Sequence, residues 1–99
     1  MGLFKWLWPE PDFDRHRVIL YNSPHHSYEY VIRMLERVCR LSAQAGYELA
    51  KQVDETGRAE VFTGTWKACE RVRREICDYR PDSAVKSSTS SMLAEVVQA

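Results

Sequence analysis

The spacing of apolar residues divides the chain into short strands and helices. A β-branched run within Arg17 to Asn22 predicts a short buried strand, which the turn residues Asn-Ser-Pro then end. From Tyr28 onward, apolar residues recur every three or four positions, as they do on one face of a helix turned towards a core. The predicted first helix therefore runs about 27 to 40.

A second helix and a second strand follow. Ser42 offers a side-chain oxygen to the free amides of a helix that runs about 43 to 54. Gly57 ends this helix, because glycine accepts the left-handed conformation that many helix ends adopt. Residues 58 to 63 then predict a strand, and Gly64-Thr65 begins a third helix.

The third helix has an apolar face and a charged face. Its inward residues share a helical spacing: Cys69, Val72, Ile76 and Tyr79. On the outside, opposite charges four residues apart predict two ion pairs, each worth a few tenths of a kcal/mol: Glu70 with Arg74, and Arg71 with Glu75. The helix is therefore expected to pack on one side only.

The end of the chain completes the predicted fold. The serine-rich stretch 83 to 91 predicts a flexible loop, and 92 to 97 predicts a last strand. The order strand, helix, helix, strand, helix, strand predicts an α+β fold, in which a small three-stranded antiparallel sheet packs against three helices. Residues 1 to 16 lack a sustained period and predict a mobile N-terminal arm, so the folded domain would span 17 to 99.

Composition narrows the classes of function. A length of 99 residues favours one domain with a modest core. The 14 basic residues balance 14 acidic ones, so no overall charge draws the chain to nucleic acid or to an anionic membrane. The apolar stretch LFKWLW is far shorter than the ~20 residues needed to cross a bilayer. We therefore expect no nucleic-acid partner and no membrane partner.

The cysteines favour a reducing environment. Cys39, Cys69 and Cys77 are an odd number without close pairs, and no secretory signal is predicted before them. We therefore expect a cytoplasmic protein in which these residues act as small buried hydrophobic side chains.

The sequence offers no recognisable catalytic chemistry. It contains no combination of nucleophile, base and acid, no glycine-rich phosphate loop and no paired carboxylates, so we expect neither an enzyme nor a cofactor. His25 and His26 are adjacent in a turn, and adjacent histidines rarely converge on one ion. Because no second ligand pair stands at zinc-like spacing, we expect no bound metal.

Several segments occur in the order that one protein family has them: RVILYN, YEYVIRML, Gly57 and VFT. In these segments the chain resembles the ClpS family, adaptors of the AAA+ Clp proteases that deliver substrates bearing destabilising N-terminal residues. The family opens its core with a pattern like VILVNDDYTPMEFVI, which reads VILYNSPHHSYEYVI here without a gap. The resemblance covers about residues 16 to 99 and implies a ClpS-like fold.

The resemblance implies a pocket for the free α-amino group of a substrate and for its large apolar or aromatic first side chain. Asn22 matches the family asparagine whose side chain binds the amine. Ser23 and Pro24 stand where the family has two aspartates, and His26 stands where it has a threonine that caps the first helix. Asp54 replaces a family histidine, and its carboxylate would restore negative charge beside an ammonium.

The resemblance also implies the apolar wall of this pocket. The residues at its positions are Tyr28, Val31, Ala50, Val53 and Leu93. Tyr28 and Ala50 each replace a family methionine, and Leu93 matches a leucine at the pocket floor. These changes predict a shifted specificity within the aromatic and large aliphatic N-terminal residues.

The expected partners follow from the same resemblance. They are protein substrates with destabilising N-terminal residues and the N-terminal domain of a Clp AAA+ unfoldase, ClpA-like or ClpC-like. The family holds the unfoldase on its third helix and neighbouring surface, where the candidates here are Trp66, Lys67 and Arg71. The arm with Trp6 and Trp8 matches the family's N-terminal extension into the unfoldase.

Three functions remain open from the sequence. The first is the substrate adaptor, and the second is a regulatory or scaffold protein that binds the unfoldase but has lost N-terminal recognition, which the changes at Ser23, Pro24 and Asp54 would permit. The third is a generic or ribosome-associated α+β interaction module, which would leave Asn22 without a role. Without the family match, Asn22 is readable as a turn residue and Asp54 as a surface acid.

Overall fold

The computed structural model describes residues 14–23, 25–79 and 92–99. The elements within them are β1 (His16–Tyr21), α1 (Tyr28–Val38), α2 (Ala43–Thr56), β2 (Arg58–Gly64), α3 (Trp66–Cys77) and β3 (Ala94–Gln98). The predicted element order and α+β fold class are confirmed. Pro24, the arm with Trp6 and Trp8, and the predicted loop 83–91 lie outside the described residues.

The sheet is built around β1. Its strand order is β2-β1-β3, and both pairings are antiparallel. A strand between two neighbours and under a helical layer is buried, and Val18 and Leu20 of β1 are 0% exposed. The pairing of β1 with β2 skips Val61 at a bulge, since Val18 faces Phe62 whereas Ile19 faces Glu60. Beyond the bulge, Leu20 is again opposite a buried residue, Ala59.

The helices form the layer that covers the core. α3 contacts all three strands, α2 packs against β2 and α1, and α1 also contacts α3. The largest fully buried side chains come from both the sheet and the helices: Val18, Leu20, Met34, Leu35, Cys69, Val72 and Ile76. Cys69 is buried, and Cys39, Cys77 and Tyr79 are partly buried against the same core, as the apolar pattern predicted.

Local side-chain chemistry sets the helix ends. The hydroxyls of Ser27, Ser42 and Thr65 accept hydrogen bonds from the backbone N–H groups three residues on, at 3.1–3.2 Å. The cap at Ser42 was predicted, and Thr65 stands where the third helix was predicted to start. The capping role that the resemblance gave to the position of His26 belongs to Ser27. Gly57 ends α2 with φ of 92°, the left-handed conformation predicted for it.

One of the two predicted ion pairs on α3 is wrong. Arg71 donates to Glu75 at 2.9 Å, as expected. Glu70, however, pairs with Arg73 instead of Arg74, because two guanidinium nitrogens of Arg73 reach both carboxylate oxygens. This fork geometry is stronger than a single contact and holds the pKa of Glu70 below its usual value.

No helix in the described part of the chain is long and apolar enough to span a bilayer.

Candidate functional site

A cavity of about 280 Å³ lies where the end of β1, the first turns of α1 and the last turns of α2 meet. It is lined by four residues of the turn between β1 and α1, by residues of α1 and α2, and by the residue two places before β3: Asn22, Ser23, His26, Ser27, Tyr28, Val31, Ala50, Val53, Asp54 and Met92. Eight of the residues predicted for N-terminal binding are therefore brought together around one space. That they bind a substrate stays a prediction.

The floor of the cavity is apolar. Val31 on α1 and Ala50 and Val53 on α2 are each at most 5% exposed, and Met92 is 2% exposed. Ala50 and Val53 are three residues apart, so they share the face of α2 that turns towards α1. The floor can therefore take an apolar group out of water but offers it little hydrogen bonding.

The structure corrects the prediction for Leu93. This side chain is 67% exposed and does not line the cavity. Its backbone carbonyl accepts a hydrogen bond from Tyr21 N–H at 3.1 Å, which extends the pairing of β1 and β3 by one residue. Successive residues of an extended chain point to opposite sides, so Met92 faces the interior in its place. The sequence already indicated this orientation, because Leu93 and the charged Glu95 are two residues apart and therefore lie on the same side of an extended chain.

The turn after β1 supplies the polar rim. Asn22 N–H donates to the carbonyl of Gly57 at 2.9 Å, which holds the backbone of Asn22 beside the end of α2. The Ser23 hydroxyl and His26 Nδ1 are hydrogen-bonded at 2.6 Å, and Ser23 also accepts from the backbone N–H of His25 at 3.3 Å. The His26 ring packs on Tyr30, with ring centroids 4.8 Å apart. The rim is thus anchored both to α1 and to α2.

A hydrogen bond between α1 and α2 crosses the mouth of the cavity. The Tyr28 hydroxyl donates to Asp54 Oδ2 at 2.8 Å. This bond to a carboxylate is the main reason that the pKa of Tyr28 rises to about 12. The Tyr28 ring also lies near Tyr47, with centroids 6.1 Å apart. Sequence reasoning placed Tyr28 and Asp54 separately in the pocket but did not predict that they bind each other.

A second, wider groove of about 760 Å³ runs along α3, from the residue before the helix to its last turn. It is lined by Thr65, Trp66, Lys67, Ala68, Glu70, Arg71 and Arg74, which include all three residues predicted to dock the unfoldase. Trp66 is 53% exposed, and its backbone N–H donates to Asp14 Oδ1 at 3.1 Å. The groove therefore combines an exposed aromatic ring with several cationic side chains.

Comparison with known protein families matches residues 11–86 to ClpS, the ATP-dependent Clp protease adaptor protein. The chain belongs to the ClpS family. The resemblance inferred from the sequence is thereby confirmed, and the ClpS family is an adaptor family.

Comparison with individual proteins finds a solved structure of the same fold and several sequence relatives. Among solved structures, Agrobacterium tumefaciens ClpS2 bound to L-phenylalaninamide matches the ClpS-like fold with a TM-score of 0.74 and 20% identity, over 86% of this chain and 96% of that one. Human UBR1, an E3 ubiquitin-protein ligase, is 34% identical over 65 residues, and mouse UBR1 is 28% identical over 88 residues. These matches cover 64% and 87% of this chain but only 4% and 5% of the ligases, so the chain spans a small part of their length.

Metal-ligand grouping and thiol acidity can be assessed in the described residues. No group of three or more histidine, cysteine, aspartate or glutamate side chains is close enough there to hold a metal ion. Burial raises the pKa of Cys39 to about 11 and also raises the pKa of Cys69. Both thiols are therefore held protonated, which makes them weak nucleophiles.

Proposed function

We propose that this ClpS-family chain binds the N-terminal residue of a substrate protein in the cavity between α1 and α2 and delivers that substrate to a Clp AAA+ protease. The observation that carries the proposal is the cavity itself, which places an apolar floor directly beneath a rim of hydrogen-bond acceptors. A free N-terminal residue has the complementary form, with an apolar side chain next to an ammonium.

The chemistry of the ligand explains why both parts are needed. An ammonium that leaves water costs several kcal/mol unless acceptors replace its hydration. The Asn22 side-chain oxygen and the Asp54 carboxylate are the acceptors at the rim, and Ser23 and His26 complete that edge. At about 280 Å³, the cavity is near the lower end of ligand pockets, roughly 300 Å³, so it suits one residue better than an extended peptide.

The solved relative supports the class of ligand. The structure of Agrobacterium ClpS2 is of the protein bound to L-phenylalaninamide, the amide of an aromatic amino acid with a free α-amine. In the present chain, Tyr28 and Ala50 line the cavity, and the sequence resemblance implies methionines at these two positions in the family. We propose that these two residues shift the preference among Phe, Tyr, Trp, Leu and Ile as first residues.

We further propose that the groove on α3 docks the N-terminal domain of the unfoldase, ClpA-like or ClpC-like. An exposed tryptophan is a common anchor of protein interfaces, and Trp66 is more than half exposed. Lys67 and Arg71 beside it add positive charge, which fits a partner surface that carries acidic groups.

The proposed action is binding without catalysis. The raised pKa values of Cys39 and Cys69 disfavour a thiolate nucleophile. A reducing, cytoplasmic setting is supported by the cysteines, all three of which the structure describes and none of which forms a disulfide.

Fluorescence anisotropy with labelled peptides tests the adaptor function. The peptides differ only in the first residue, Phe, Tyr, Trp, Leu or Ile, and each is made with a free and with an acetylated N-terminus. We expect binding of free aromatic or leucine N-termini, loss of binding on acetylation, and at least a ~10-fold higher Kd in Asn22→Ala, since a hydrogen bond to a charged group contributes about 1.5–3 kcal/mol. Gln44→Ala, which removes an amide from α2 outside the cavity, is the matched control.

A second candidate function is a regulatory protein that binds the unfoldase without recognising N-termini. It is favoured by the Tyr28–Asp54 hydrogen bond, because one acceptor of the rim is already engaged. Failure of every free-amine peptide to bind, together with capture of a Clp unfoldase, would replace the adaptor function with this one.

A further inference from the structure

We propose that Tyr28 is a positioning residue: its hydroxyl holds the Asp54 carboxylate in place for the substrate's α-ammonium, while its ring forms part of the wall against the first side chain. This inference rests on the proposed adaptor function. In this arrangement Tyr28 contacts both parts of the ligand site: its hydroxyl acts at the end that binds the amine, and its ring acts at the end that binds the side chain.

The two residues are held by rigid elements. Tyr28 is the first residue of α1, directly after the cap Ser27, and Asp54 lies in the last turn of α2. Both line the cavity, and the Tyr28 hydroxyl reaches Asp54 Oδ2 at 2.8 Å. An exposed aspartate at a helix end can adopt several rotamers, and this hydrogen bond selects one of them. The carboxylate is thereby fixed at the mouth before any ligand arrives.

The held carboxylate keeps capacity for a second donor. Its two oxygens offer about four acceptor positions, and the phenol occupies one of them, at Oδ2. An ammonium can therefore bind Asp54 without displacing Tyr28. The C-terminal end of α2 adds to this attraction, because the carbonyls that end a helix carry partial negative charge and favour a cation. An acid in this position disfavours the helix by itself but is suited to a cationic ligand.

The protonation state of Tyr28 agrees with this role. Its hydrogen bond to Asp54, with smaller contributions from desolvation and from the charge of Asp54, raises its pKa to about 12. The phenol therefore remains a donor throughout the physiological pH range, and the carboxylate stays held.

A double-mutant cycle with Tyr28→Phe and Asp54→Asn separates positioning from wall formation. Tyr28→Phe keeps the ring and removes only the hydroxyl. We expect it to raise the Kd of free-amine peptides about 3- to 10-fold, the range of a lost hydrogen bond, and Asp54→Asn to raise it about 10-fold or more. In the Asp54→Asn background, Tyr28→Phe should change the Kd less than ~2-fold, because the group that it positions is gone.

A second readout distinguishes positioning from a general loosening of the site. The amine is common to all peptides, so Tyr28→Phe should raise the Kd values of Phe, Tyr and Leu peptides by the same factor. If the substitution instead disturbed the wall that contacts the first side chain, the ratios among the Kd values of these peptides would change. Tyr47→Phe removes a hydroxyl from the neighbouring ring outside the cavity and should leave every Kd unchanged. Thermal unfolding of each variant checks that the fold is retained. Tyr28 and Asp54 are both exposed, so we expect these variants to fold.

The outcomes are distinct. In one outcome, the wild type binds free-amine peptides, Asn22→Ala abolishes this binding, and Tyr28→Phe does not weaken it. That outcome would overturn the positioning role and leave the adaptor function standing. Additive effects of the two substitutions, or altered ratios among the peptides, would also overturn it. If the wild type binds no free-amine peptide at all, the adaptor function fails and the positioning role fails with it.

Discussion

Tyr28 stands among groups that all favour its neutral form. The hydrogen bond to Asp54 is the largest of these effects, and the charges of Asp54 and Glu55 and the nearby Tyr47 act in the same direction. Because Tyr28 is exposed at the surface, solvent screens these charges, and the bond to Asp54 is expected to matter for position more than for the stability of the fold. Its effect on protonation is nevertheless directly measurable.

The titration of Tyr28 provides that measurement. We expect its pKa near 12, above the ordinary value of 10.0. Ultraviolet absorbance of tyrosinate is followed against pH in the wild type and in Tyr28→Phe, and the difference between the two curves gives the titration of Tyr28. A raised pKa in the folded state means that the contribution to stability is complete below pH 10 and is lost as the pH rises towards 12. Asp54→Asn should return the pKa towards 10.0. A wild-type midpoint at the ordinary value would show that the hydrogen bond is not formed in solution.

Most cavity residues could be predicted one at a time, but the bond between Tyr28 and Asp54 could not. Asn22, Tyr28 and Val31 lie within one continuous stretch of family pattern, and Ala50 and Asp54 lie on one helix, so the resemblance located each of them. The bond depends on how closely two helices approach, and that distance is set by packing in the core. The spacing of residues along the chain does not give this distance between helices.

At the scale of the element, the end of α2 serves both the fold and the site. Gly57 ends the helix with φ of 92°, and its carbonyl accepts the backbone N–H of Asn22 at 2.9 Å. The same turn therefore stops α2 and holds the residue proposed to bind the amine. A β-carbon at Gly57 would meet no other atom within 4 Å, so any cost of a larger residue comes from the backbone conformation.

Gly57→Ala tests this turn. We expect it to lower the free energy of unfolding by about 1 kcal/mol, because a left-handed conformation costs an L-residue roughly 1–2 kcal/mol. Gly57→Asn should lower it less, since asparagine tolerates this conformation better. Denaturant unfolding of the three proteins gives the comparison. Equal stability of Gly57→Ala and the wild type would mean that the helix end relaxes to another conformation.

The elements differ in how far the sequence determines them. The ends marked by Ser42, Gly57 and Thr65 were predictable, because capping depends on one side chain and its nearest backbone groups. The start of β3 was placed two residues early, at Met92 instead of Ala94. That boundary depends on pairing with β1, which is distant in sequence, so the local apolar run could not fix it.

At the scale of the whole molecule, one small fold presents two separate surfaces. The cavity is lined by the turn after β1, by α1 and α2 and by Met92. The groove is built by α3 and the residue before it, and the two share no lining residue. α3 packs on all three strands with its apolar face, which leaves its charged face and Trp66 outward. Under the proposed function, this separation would let the chain hold a substrate and an unfoldase at the same time.

Separate surfaces predict separable defects. Trp66→Ala should weaken binding to the N-terminal domain of a Clp unfoldase about 30-fold, as truncation of an aromatic anchor commonly costs about 2 kcal/mol or more. As a separate variant, Lys67→Glu should also weaken unfoldase binding and make that binding less dependent on salt. Neither change should alter the Kd of a free-amine peptide by more than ~2-fold, because both positions lie outside the cavity. Asn22→Ala should show the opposite pattern.

Binding titrations with the purified unfoldase domain and with the labelled peptide, made on the same protein preparations, provide the comparison. Leu93→Ala is the control, since it removes an exposed apolar side chain that lines neither the cavity nor the groove. Loss of peptide binding in Trp66→Ala would show that the two surfaces are coupled through α3 and the sheet. Unchanged unfoldase binding in both Trp66→Ala and Lys67→Glu would place the docking surface elsewhere on the chain, because removing the exposed ring and reversing the adjacent charge alters the groove in both shape and electrostatics.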